Sequence, residues 1–123
     1  MAESVLRNKA KAFAKNIVFT CREMRLHRIE YSLTDQLLRC GTSVAANVYE
    51  AQRAHGPKDF VFKLEIALKE SNECLFWLEL LYETDSLSKS GYELLTKECS
   101  EIGKMITSSI NTVKTNNPKT IFN

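Results

Sequence analysis

The near absence of backbone breaks constrains this chain more than any other feature. Four glycines and two prolines are spread over 123 residues, and only Gly56-Pro57 and Asn117-Pro118 put a proline beside a second turn-forming residue. The intervals between breaks far exceed the length of an ordinary strand, about 3–10 residues. They suit helices. A chain of this length forms one domain, burying roughly two thirds of its unfolded surface.

Apolar periodicity supports an all-α reading and divides the chain into four helices. In the first, expected over about residues 4–27, Leu6, Ala10, Phe13, Ile17, Thr20 and Met24 recur at steps of four and three, which is one helical face. Helix 2 is expected from near Leu33 to about Gln52. Ser32 and Asp35 form a capping-box-like start, and Leu37, Leu38, Cys40, Gly41, Val44, Ala45 and Val48 give a face rich in small residues that lets a neighbour approach closely. Pro57 suits the first turn of helix 3, whose inner seam reads Val61, Leu64, Leu68, Ser71, Leu75, Leu78 and Tyr82. Phe62, Ile66, Phe76, Trp77 and Leu80 fall outside that seam. A helix apolar on more than one face needs cover on more than one side, so these five residues are expected at an interface with another copy of the chain. Helix 4 is expected to open with Ser90 and Glu93 and to continue through Leu95, Cys99, Ile102, Ile106, Ser109 and Val113. The expected organisation is a four-helix bundle over residues 1–114 and a flexible tail over 115–123.

Composition narrows the function classes. Cys21, Cys40, Cys74 and Cys99 include no C-x-x-C pair and each lies on or beside an apolar stripe, so they read as core residues in a reducing compartment rather than metal ligands or disulfides. Charges interrupt every apolar run before it reaches the roughly 18–20 residues that span a bilayer, which points to a cytoplasmic protein. The basic first 31 residues bring a mitochondrial presequence to mind, but they carry a core stripe that the bundle needs. They hold seven basic and three acidic groups, against two and seven in residues 59–86. This asymmetry predicts that helix 1 and helix 3 lie side by side.

No motif specifies a chemistry. Neither His27 nor His55 completes the Glu-x-x-His pair of a di-iron bundle, and no Walker, G-x-S-x-G or G-x-G-x-x-G pattern is present. Arg22 and His27 are separated by four residues, a spacing similar to the R-x4-6-H signature of a helical-bundle ribonuclease superfamily. That signature belongs at the start of a late helix, whereas this pair closes helix 1, so the ribonuclease reading ranks last. Helix 2 carries a polar row, Gln36, Arg39, Ser43, Asn47 and Glu50, on one face. Asn and Ser are poor helix formers, so this row is either a solvated face or a hydrogen-bonded network.

The stretch from Leu37 to Ala51, followed by Phe60, Leu64, Ile66-Ala67-Leu68-Lys69-Glu70-Ser71 and Glu73, resembles the bacterial four-helix-bundle family of 23S rRNA intervening-sequence proteins. Its R-x3-S-x3-N-x2-E and I-A-x3-S-x-E elements carry the resemblance, which extends over about residues 6–113. What the resemblance implies is an antiparallel up-down bundle assembled into a homopentamer, with no enzymatic activity. Arg39, Ser43, Asn47 and Glu50 would be signature residues, with Glu73 facing them from helix 3. A related accessory protein of diversity-generating retroelements is a basic pentamer that binds nucleic acid and its reverse transcriptase. Ala51 stands where glycine often follows the glutamate, and a net charge of +2 is modest for a polyanion binder.

The expectation is therefore a non-catalytic homo-oligomer that binds RNA, DNA or a nucleic-acid enzyme through Lys9, Lys11, Lys15, Arg22, Arg25 and Lys104. The competing expectation is a scaffold that binds protein alone. No cofactor, metal or small-molecule substrate is implied. Pairing of those cations with Glu65, Glu79 and Glu83 would favour mere bundle stability.

Overall fold

The computed structural model describes residues 2–119, with side chains from Val5 onward. It contains four helices, α1 (Ala2–Leu26), α2 (Tyr31–Ala51), α3 (Pro57–Glu83) and α4 (Lys89–Asn116). No strand occurs among the described residues. Each helix packs against its neighbours in sequence, and α4 returns to α1. The α1–α3 and α2–α4 pairs lie on diagonals, with no close backbone approach among the described residues. This corrects the expected side-by-side placement of basic α1 and acidic α3. Connections only a few residues long make sequence neighbours into spatial neighbours, and that constraint outweighs long-range charge attraction.

The contacts also have a consistent order. Arg39 of α2 meets Glu73 of α3, whereas Glu50 further along α2 meets Lys63 earlier in α3. Likewise Lys9 meets Glu101, and Asn16 meets Glu98. Phe13, Ile17, Leu37, Val44, Leu64, Leu78, Leu95, Ile102 and Ile106 are fully buried between the four helices. Gly41 brings α2 close to α1, since a Cβ there would lie 2.9 Å from the Ile17 side chain. This is the close approach expected of the small-residue face.

The helix ends depart from expectation in physically informative ways. Neither Ser32 nor Ser90 is a cap. α2 starts after Glu30 without a side-chain cap, and α4 is capped by Ser88, whose hydroxyl accepts a 3.1 Å hydrogen bond from the Gly91 amide. After α1 and α3 the chain reverses through Arg28 and Asp85, both at positive φ (61° and 60°). The Ile29 amide bonds Met24 and the Ser86 amide bonds Leu81, closing the last carbonyls as in Schellman motifs built without glycine. By Tyr31 the chain has already turned, leaving Ser32 inside the first helical turn.

Cys21 replaces Thr20 in the buried stripe of α1. In α3 the buried set is Val61, Leu64, Ala67, Glu70, Ser71, Cys74, Leu78 and Leu81, while Leu68, Leu75 and Tyr82 are half-buried. α3 contacts both α2 and α4, so its inner face is wider than a single seam. α4 extends two residues into the segment expected to be a flexible tail, and residues 120–123 of that segment lie outside the described residues.

Candidate functional site

The polar row of α2 divides into parts with different roles. Arg39 reaches across to α3, where Glu70, Glu73 and Trp77 follow one another at steps of three and four and so share one edge of that helix. Its Nη1 donates a 2.8 Å hydrogen bond to Glu70 Oε2, and its Nη2 donates to Glu73 Oε2. The Trp77 indole N–H donates to the same Glu73 oxygen at 3.1 Å. Glu70 is buried, its side chain only 10% exposed, so the guanidinium supplies the counter-charge that such burial requires. The Trp77 indole and then Arg39 hold the Glu73 carboxyl below its usual range. Glu73 and then Glu70 push the Arg39 guanidinium further up. This clasp shares one guanidinium between two carboxylates in a fixed geometry. It is built to hold α2 against α3.

The other members of the row stay local. Asn47 donates from Nδ2 to the Ser43 carbonyl of its own helix at 2.9 Å, Ser43 is half-buried, and exposed Glu50 meets Lys63 at 3.4 Å. Glu70 and Trp77 complete the clasp, although sequence reasoning assigned Glu70 no role and Trp77 only to an interface. The available signal was the placement of Glu70 three residues before Glu73. A second polar group missed in the sequence is Thr34, fully buried, whose hydroxyl accepts from Arg25 Nε at 3.0 Å.

The cations named from sequence also separate. Lys9 pairs with Glu101 at 3.4 Å, and Arg25 lies 3.8 Å from Asp35 with its guanidinium over the Tyr31 ring. Lys11, Lys15 and Arg22 are exposed and form no ion pair among the described residues. Their steps of four and seven put them in one line along α1. Lys104 borders a groove of about 850 Å³ between α3 and α4, with Leu68, Asn72 and Thr107. None of the six meets Glu65, Glu79 or Glu83, and Glu65 faces Lys114 at 3.8 Å instead.

Of the side chains expected at an interface, Phe62 and Phe76 are each 57% exposed. Ile66 and Leu80 are half-buried, and Trp77 packs at the core edge with its ring edge-on to Phe76. Val5, Phe19 and Leu26, at steps of fourteen and seven residues, add exposed apolar side chains along one line of α1. His27 lies in the turn after α1 and lines an end cleft with Glu23 and Asp85. No described hydrogen bond joins it to an acid or to Arg22. Among the described residues no three His, Cys, Asp or Glu side chains are arranged to hold a metal ion, and no helix is long and apolar enough to cross a membrane.

Fold and clasp together define a small helical bundle whose second and third helices are locked by an arginine between two glutamates. Residues 3–108 match the family model described as 23S rRNA-intervening sequence protein, and the chain belongs to that family. A 1.70 Å crystal structure of a Bacteroides thetaiotaomicron VPI-5482 protein with unknown function, from the S23 ribosomal protein family, superposes with a TM-score of 0.87. It is 39% identical in sequence, over 90% of this chain and 99% of that one. No curated protein matches the chain.

Proposed function

We propose that the protein is a non-catalytic antiparallel up-down bundle that assembles with copies of itself and binds RNA, DNA or an enzyme acting on them. The reversed order of contacts across the α2–α3 and α1–α4 pairs supports the antiparallel arrangement. The resemblance supports five copies. One observation carries the nucleic-acid reading, namely the line of exposed, unpaired Lys11, Lys15 and Arg22 on α1. Repeated in each copy, this line turns a modest monomer charge into an extended positive surface. Its contacts would fall on phosphates, independent of base sequence and steeply salt-sensitive.

Gel-shift titration of the purified protein with single-stranded RNA and duplex DNA tests this reading. The expected result is a shift at low salt that weakens at moderate salt and disappears when Lys11, Lys15 and Arg22 are all changed to Glu with helix content preserved. If the intact protein shifts neither probe at low salt, the protein-scaffold reading replaces it. That second reading is favoured by the exposed Phe62, Phe76 and Phe19 side chains. Light scattering at micromolar concentration tests assembly separately, and a monomeric mass there would refute it.

A further inference from the structure

We infer that Cys40 and Cys74 form an oxidisable dithiol site within the core, one that a two-electron peroxide oxidant converts to an intramolecular disulfide between α2 and α3. The two sulfurs lie 3.1 Å apart, and both residues are fully buried. A disulfide has an S–S distance of about 2.05 Å, so closure asks the sulfurs to approach by about 1 Å. Of the remaining thiols, Cys99 also lies against the Cys74 thiol, and both Cys21 and Cys99 have carbonyl partners of their own. Cys21 contacts the Thr34 carbonyl at 3.5 Å, and Cys99 contacts the Ser71 carbonyl at 3.2 Å.

The clasp explains why these two sulfurs meet. Arg39 immediately precedes Cys40, and Glu73 immediately precedes Cys74. The Arg39–Glu73 pair on the outside of the α2–α3 contact thus fixes the register of the next residues, which point inward and bring thiol to thiol. Contact with Cys40, then Cys99, then burial pushes the Cys74 thiol up, so at neutral pH Cys74 rests protonated.

The chemistry balances with hydrogen peroxide as oxidant. One sulfur, deprotonated as the core transiently opens, attacks a peroxide oxygen. The O–O bond breaks and hydroxide leaves, taking up a proton to become water, and a sulfenic acid remains. The second sulfur attacks that sulfenyl sulfur, forming the S–S bond and expelling the oxygen as a second water with the thiol proton. Two thiols and one peroxide give one disulfide and two waters.

The test treats the reduced full-length protein with stoichiometric hydrogen peroxide, then counts thiols by alkylation in denaturant and maps peptides without reductant. The expected product has lost two hydrogens, retains two of its four alkylatable thiols, links Cys40 to Cys74 within one chain, and melts at a higher temperature until dithiothreitol reverses the change. Cys99→Ala should still form the linkage, and Cys74→Ala should not. Circular dichroism confirms that both variants are folded. The inference is overturned if folded protein keeps all four thiols, if the linkage joins Cys74 to Cys99, or if sulfinic acid accumulates in place of a disulfide.

Discussion

The two flanks of α2 hold their neighbours by different means. Towards α1 the contact depends on shape, with Gly41 so close to Ile17 that no side-chain carbon fits between them. Towards α3 it depends on matched polar groups, with Arg39 shared by Glu70 and Glu73 outside and Cys40 against Cys74 inside. A contact made by shape is damaged by added volume, whereas one made by charge is damaged by a missing partner.

Gly41→Leu should therefore be the most damaging single change, forcing α1 and α2 apart at a fully buried residue and costing upwards of about 3 kcal/mol. Urea unfolding measures it, and a midpoint near that of the parent would mean the α1–α2 contact can relax. The same flank should fail in alkali. Burial pushes the Cys21 thiol from 9.0 up to about 11, against the opposing charge of Arg25. Between those values the unfolded chain has released the thiol proton and the folded chain has not, so stability is fully present below pH 9 and falls as pH rises towards 11. The loss is on the order of 2.5 kcal/mol. A Cys21→Ala variant whose stability declines equally over that range would exclude Cys21 as the cause.

On the polar flank, Arg39→Ala strands the buried Glu70 and should cost about 2 kcal/mol, less than full burial would imply because the arginine is partly exposed. This flank should weaken in acid. Glu73 titrates below its ordinary 4.5, so its contribution is present above that value and is lost as pH falls further. Glu73→Gln should flatten the acid limb of the stability curve, and an unchanged limb would assign acid sensitivity elsewhere. Asn47→Ala should have the smallest effect, within about 0.5 kcal/mol, since the lost bond lies within one helix and alanine favours helices. A larger drop in melting temperature would show that a second copy engages Asn47.

Much of this architecture could be read from the residues because apolar periodicity reports which face is buried. The stripe of α1 and the small-residue face of α2 were legible for that reason. The polar flank was only half legible. Arg39 and Glu73 stood out as signature residues, but Glu70 looks like any surface acid until its place in the packed α2–α3 contact is known. The turns at Arg28 and Asp85 were hidden because glycine is the residue that advertises positive φ, and neither position has one. Nor could charge totals place α1 and α3 diagonally, because that arrangement follows from the chain path.

The order in which helices touch also governs how the chain can fold. α1 with α2, α2 with α3 and α3 with α4 each form between segments joined by a short turn, so most of the native surface can be buried without closing a long loop. Only the α4–α1 contact, marked by Lys9 with Glu101 and Asn16 with Glu98, brings distant parts of the chain together. A chain emerging from the ribosome can pack its first three helices as each appears, leaving the inner face of α1 uncovered on one side until α4 arrives to close it.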